Sequence, residues 1–275
     1  MSEILEEVKY RGCTIKVCQD QDPANPMEDW DGMGEIRSFS RRHANNVKSQ
    51  EEAEQLMKDN PFHVELSYFE HGQSYWMVGG EMKPGMEGDF RWDGVRRAGL
   101  WIPDKEALAT IRIRAMKRLL PEGSDVKYET HDGKLNDIVA VFPDGTKRYG
   151  YKSFEKAYQA IARKTKTCLN KMALVPAMEE EAVDLCRSCI ETYNQYCNGE
   201  VYGYITEGPD GEDIDSCWGF YGWDDRKNDM MDQARSSIDH WLKDRLASHL
   251  TKLRTHITNK VPLNYREAAP AMPRA

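Results

Sequence analysis

Residues 199–222 read GEVYGYITEGPDGEDIDSCWGFYG, and this stretch decides the class of fold. Two runs rich in β-branched and aromatic residues, 200–206 and 213–221, flank Gly208-Pro209-Asp210-Gly211. Strand formers on both sides of such a turn predict an antiparallel hairpin. A helix is expected on either side of it. Before the hairpin, 179–197 places Val183, Cys186, Ile190, Tyr193 and Cys197 on one helical stripe and stops at Asn198-Gly199. After it, 225–260 carries Ile238, Trp241, Leu242, Leu246, Leu250, Leu253 and Ile257 along one side. Hairpins and helices in this arrangement predict an α+β fold.

The N-terminal part reads as further hairpins. Residues 8–17 suit a short hairpin or bent strand, and an acidic loop, 20–31, leads to an apolar run at 33–39. Ser49 reads as the N-cap of a helix through Asp59, closed by Asn60-Pro61. Strands are expected at 63–69, 74–78 and 98–102, with a Gly- and Met-rich loop at 79–94. Pro103-Asp104 then opens a helix over 105–120. Three more strands, 126–130, 138–142 and 148–151, are parted by His131-Asp132-Gly133 and Pro143-Asp144-Gly145, and a basic helix follows at 153–167. The expected organisation is an antiparallel-sheet N-terminal domain (1–104), a small basic βββα insertion (105–172), a C-terminal helix-hairpin-long helix unit (173–261) and a disordered tail (262–275).

Charge divides the chain unevenly. It has 38 Lys and Arg against 46 Asp and Glu, for a net charge of −8. Residues 105–171 nevertheless hold 15 basic and 8 acidic residues, so the remainder carries 23 against 38. Forty per cent hydrophobic residues, seven Trp and thirteen Tyr describe a folded chain. With no apolar run of membrane-spanning length and an acidic start (MSEILEEVK), it is expected to act in the cytoplasm. Seven cysteines without a secretory leader are expected as reduced thiols.

Metal and catalytic motifs are weak. Cys186-x-x-Cys189 lies inside the expected helix, where cysteine acts as a small hydrophobe, so no metal site is expected there. The carboxylates Asp20, Asp22, Glu28, Asp29 and Asp31 invite a divalent cation, but the glycine that a calcium loop needs at its sixth position is Asn25. With Trp30 they are read instead as a contact surface for a basic partner. His249 and His256, seven apart on one helix, suit two solvent-facing residues. Phosphate-loop, dinucleotide, nucleophile-elbow, zincin and kinase motifs are missing, and neither an enzyme nor a cofactor is expected. Any hidden catalysis would draw on the carboxylate loop and Asp93.

Lys147, Arg148, Lys152, Lys156, Arg163 and Lys164, interleaved with Tyr149, Tyr151, Phe154 and Tyr158, form the candidate nucleic-acid surface. The same residues equally suit an ordinary αβ subdomain whose basic face meets acidic protein. Trp241, Leu242, Leu246, Leu250 and Leu253 are the candidate oligomer contact, and a homo-oligomer is expected.

Three stretches resemble a group of phage-encoded accessory proteins. They are Asp20-Gln-Asp-Pro-Ala-Asn-Pro with Glu28-Asp-Trp-Asp-Gly-Met-Gly34 and Arg41-Arg-His43; Phe90-Arg-Trp-Asp93 before Ala98-Gly-Leu-Trp-Ile102; and the 199–222 hairpin itself. The resemblance implies a phage or mobile-element protein working in the host cytoplasm, with 121–168 inserted relative to shorter relatives. The expected function is inhibition of a host antiviral defence complex, of the Gabija nuclease type, by stoichiometric protein binding. The alternative is a DNA-binding or DNA-processing accessory role through 121–168.

Overall fold

The computed structural model describes residues 3–82, 89–131, 134–224 and 228–260. The fold is α+β with antiparallel sheets, and it divides into two compact units. One is made of residues 1–23 and 199–275, the other of 24–198. The expected tail at 262–275 lies outside the described residues.

The first unit joins the two ends of the chain. Strands β1 (Ile4–Tyr10) and β2 (Cys13–Gln19) form the expected hairpin, and β10 (Val201–Glu207) and β11 (Asp213–Tyr221) form the other. They make one sheet in the order β1-β2-β10-β11, with β2 antiparallel to β10 from Gln19–Tyr202 to Thr14–Glu207. This corrects the expected N-terminal domain of 1–104. The reason is that β2, buried at Cys13, Ile15, Val17 and Cys18, satisfies the backbone groups of its second edge by pairing with β10. The expected helix-hairpin-helix unit is likewise parted, between Asn198 and Gly199. Helix α7 (Met230–Lys260) covers the sheet with Met230, Met231, Ala234 and Ile238 against Ile15, Val17, Tyr204 and Phe220.

The second unit holds two sheets. Strands β3 (Glu35–Ser38), β4 (Val64–Glu70), β5 (Ser74–Val78) and β6 (Gly94–Ile102) pair in the order β3-β6-β4-β5. Helices α4 (Lys105–Leu119) and α6 (Lys171–Cys197) close its core, where Trp101, Leu66 and Ile36 meet Ala107, Ile111, Ala115, Ala182 and Cys186. Small residues on both helices let them approach each other and the sheet closely. Helix α6 begins before the expected 179 because Asn170 caps it, accepting from Ala173 N at 3.1 Å, and Pro176 is carried inside it. Short helices α1 (Pro26–Asp29), α2 (Gln50–Asp59) and α3 (Phe90–Asp93) sit in the connections. Strands β7 (Asp125–His131), β8 (Lys134–Val141) and β9 (Lys147–Tyr151) form the second sheet, backed by α5 (Phe154–Thr165). Ala157, Tyr158 and Ile161 pack on Val126, Ala140 and Phe142 there, which is the expected βββα order.

Three side chains organise the β3-β6-β4-β5 sheet. Asp104 caps α4 through Oδ1, which accepts from Ala107 N at 2.7 Å. Its Oδ2 accepts from Gly32 N at 2.8 Å and Gly34 N at 3.1 Å, fixing the Trp30–Gly34 loop on the helix start. Gly34 has φ +67°, and a Cβ there would sit 2.6 Å from Ile102 O, so only glycine fits. At the outer edge of β5, Asn194 Oδ1 accepts from Trp76 N at 2.8 Å while its Nδ2 donates to Trp76 O at 2.8 Å. Asn198 repeats the pattern on Ser74, at 2.8 and 2.9 Å. Helix α6 thus completes the open edge in place of a fifth strand.

Candidate functional site

The six residues expected to bind a partner are divided between the units. Asp20 and Asp22 belong to the first, where Asp22 N donates to Asp20 Oδ1 at 3.1 Å in a local turn. Glu28, Asp29, Trp30 and Asp31 belong to the second, on and just after α1, whose N-cap Asn25 accepts from Met27 N at 3.1 Å. The asparagine that breaks the calcium-loop pattern is therefore a helix cap. Glu28, Asp29, Trp30 and Asp31 are exposed. Among the described residues, no three His, Cys, Asp or Glu side chains gather as a metal ligand set. Cys186 and Cys189 lie in the core, and burial pushes both thiols up, Cys189 to about 11.

The basic sheet is partly neutralised from within. On its open face Glu129 accepts from Lys147 Nζ at 2.8 Å and Tyr149 Oη at 3.0 Å, and pairs with Lys127 at 2.9 Å. These donors hold the Glu129 carboxyl down at about 2. Lys164 pairs with Asp144 at 2.8 Å and lies 4.3 Å from the centre of the Phe142 ring, over which Arg148 also stacks. Lys152, Lys156 and Arg163 are exposed just before α5 and along it, and Arg163 Nε donates to Gln159 O at 3.3 Å. Among the described residues, three of the six expected nucleic-acid contacts therefore meet no carboxylate or ring.

The oligomer candidates fall on the half of α7 that outruns its sheet. Trp241 and Leu242 are half-buried against the first unit's core. Every described side chain from Lys243 to His256 is exposed, Leu246 by 59%, together with Leu250 and Leu253. Ile257 lies outside the described side chains. Arg245 ties the helix to the hairpin turn through Glu212 at 2.7 Å and stacks over Trp241 at 4.8 Å.

The structure also assembles a site that periodicity did not mark. Arg42, His43, Trp92 and Asp93, from two separate motif stretches, wall one hollow of about 480 Å³ on the second unit. His43 Nδ1 lies 2.7 Å from the buried Ser38 Oγ, and its ring stands edge-on to Tyr68 and Trp76. Asp93 pairs with His71 at 2.9 Å. The signal available in the sequence was the doubling of arginines at 41–42 and 96–97 within an acidic chain.

No family model, no curated protein and no solved structure matches this chain. Among the described residues, no helix is long and apolar enough to cross a membrane.

Proposed function

We propose that this chain is a phage accessory protein that disables a host antiviral defence complex by stoichiometric binding, with a Gabija-type nuclease system in the host cytoplasm as its target. The observation that carries this reading is the acidity of the first unit up to the exposed part of α7. Residues 1–23 and 199–242 hold 16 acidic and 6 basic residues. Ion pairs such as Lys16 with Glu207 and Arg11 with Asp239 engage only part of that excess. Strand β1 is an edge of the sheet, and it presents Glu6 and Glu7, with Glu3 just before it, around Ile4 and Leu5, which are 47% and 44% exposed. An edge of this kind offers main-chain hydrogen bonds, apolar contact and negative charge together. Proteins that handle nucleic acid carry the complementary positive surface.

The purified protein is expected to co-elute with a purified Gabija-type complex, to suppress its nuclease activity and to survive removal of nucleic acid. The double variant Glu6→Lys with Glu7→Lys should weaken the complex by about tenfold or more and flatten its salt dependence. Failure of the unaltered protein to co-elute at low salt rejects the reading. A complex that dissolves on nuclease treatment favours instead a DNA-binding accessory role, for which Lys152, just before α5, and Lys156 and Arg163 on it are the available contacts.

The same reading includes self-association through α7. Leu246, Leu250 and Leu253 follow the 4-3 spacing of a two-helix seam and are exposed. Light scattering should give a mass above 31.7 kDa for the natural chain. The triple replacement of these leucines by lysine should return the mass to that of one chain, and a monomer at every concentration removes the proposal.

A further inference from the structure

The far end of α7 is an arm with two unlike faces. The helix starts beside Gly222, whose carbonyl accepts from Asn228 Nδ2, and runs toward the two hairpin turns of its sheet. There Asp239 meets Arg11 at 3.0 Å and Arg245 meets Glu212 at 2.7 Å, and residues 246–260 continue beyond them. At about 100° per residue, Leu246, Leu250 and Leu253 share one stripe. His249, Lys252 and His256 border it on one side, and Lys243 and Arg254 on the other. Ser248, Thr251 and Thr255 lie opposite. Thr251 Oγ1 donates to Ala247 O at 2.9 Å and Thr255 Oγ1 to Thr251 O at 3.0 Å, so the helix itself takes up these two hydroxyls. The leucine face is the one left to meet a partner.

The flanks of that stripe decide what the partner is. Residues 246–260 contain Lys252, Arg254 and Lys260 and no Asp or Glu. Two such arms laid against each other would set cation against cation along the leucines. A complementary surface has exposed apolar side chains with carboxylates beside them, and the same unit carries one. Where a bulge shifts the pairing of β1 with β2, Ile4 and Leu5 are exposed, and Glu3, Glu6 and Glu7 stand around them. Among the described residues these three glutamates form no ion pair. Glu7 lies across the ladder from Lys16, but that ammonium is bonded to Glu207, and Lys9 donates to Thr14. Asp20 and Asp22 follow at the same end of the sheet, where Gln19 N donates to Glu3 O. Lengths match as well: β1, of seven residues, spans about 23 Å, and residues 246–260 span about 22 Å.

We infer that the arm of α7 docks along β1 of a second copy of this chain, its leucines on Ile4 and Leu5 and its Lys252 and Arg254 toward Glu6 and Glu7. The arm leaves its own sheet at the turn end. Two copies meeting turn end to turn end about a two-fold axis therefore each lay an arm along the other's β1, and the contact is made twice. The inference rests on the self-association reading and names the surface that the leucines meet. A copy seated on β1 excludes any other partner from that edge.

The test is light scattering of the full chain and of two charge reversals over the same concentrations. The natural chain should reach twice 31.7 kDa. Glu6→Lys with Glu7→Lys, and separately Lys252→Glu with Arg254→Glu, should each weaken the dimer by about tenfold or more. An equal mixture of the two variants should restore it, because the unaltered arm of one meets the unaltered edge of the other and the two reversed surfaces meet each other. All four side chains are exposed, and unchanged circular dichroism confirms folding. A dimer indifferent to the reversal at Glu6 and Glu7 places arm against arm, which overturns this inference and leaves self-association standing. A mixture that stays at the mass of one chain also overturns it. A natural chain that is a monomer at every concentration removes both readings. If that monomer sediments with phosphatidylglycerol vesicles and the reversal at Lys252 and Arg254 abolishes this, the arm belongs to an anionic membrane surface instead.

Discussion

Replacing Asn194 by alanine is expected to lower the unfolding free energy by about 3 kcal/mol, since a buried backbone donor and acceptor both lose their partner. The cost follows from where those groups lie. Trp76 is buried at the outer edge of β5, and its N–H and C=O turn away from β4 toward α6. The Asn194 carboxamide serves both, at 2.8 Å each. The geometry repeats because four residues of helix rise about 6 Å and two residues of strand about 6.6 Å. Asn198 therefore meets Ser74 as Asn194 meets Trp76. At that half-buried position water can replace the amide, so Asn198→Ala should cost only about 1 kcal/mol. Asn194→Asp should be worse than alanine, because a carboxylate would face the Trp76 carbonyl. Urea denaturation of the three variants checks the ranking, and equal costs at 194 and 198 would show that the helix does not act as an edge strand.

Asp104→Ala is expected to cost about 3–4 kcal/mol by the same measurement. One part is the lost helix cap, about 1 kcal/mol. The larger part is the release of the loop, since two backbone N–H groups lose bonds to a charged acceptor. Those bonds hold Gly32 and Gly34 against the start of α4, and the neighbouring Met33 carbonyl accepts from the buried Trp101 Nε1 at 2.7 Å. Loosening the loop therefore reaches the centre of the core. Asp104→Asn can keep the cap acceptor while losing the second oxygen, so it should fall between the natural protein and alanine. A loss of no more than 1 kcal/mol for alanine would mean that the loop is held by packing alone.

Local chemistry was legible in the sequence wherever one residue type answers one backbone need. Ser49, Asp104 and Ser153 cap helices as their types predict, and Gly208-Pro209-Asp210-Gly211 joins β10 to β11. Pairing between β2 and β10 was not legible, because side chains buried on both faces do not name the strand that covers an edge. The Asn194–Asn198 ladder was equally silent, since asparagine four apart on a helix carries no periodic signal. The stripe along α7 read as one continuous face. The helix is about 46 Å long and the strands beneath it have only seven to nine residues, so its second half extends past them. The hollow walled by Arg42, His43, Trp92 and Asp93 was missed for a related reason: its parts are separated by some fifty residues, and the neighbouring β6 irregularity has arginine rather than glycine at its positive φ.

The joining of both chain ends in one sheet has a consequence for synthesis. Strand β2 leaves the ribosome about 180 residues before β10, its partner on one side. Until then Ile15 and Val17 have neither β10 nor α7 to cover them, although β1 has already paired. The intervening unit, with its own complete core, can finish folding during that interval. The nascent chain thus covers β2 only after the intervening unit has been made. A stop codon ahead of β10 leaves Ile15 and Val17 without β10 and α7, and such a product is a target for chaperones and proteases rather than a shortened but working protein.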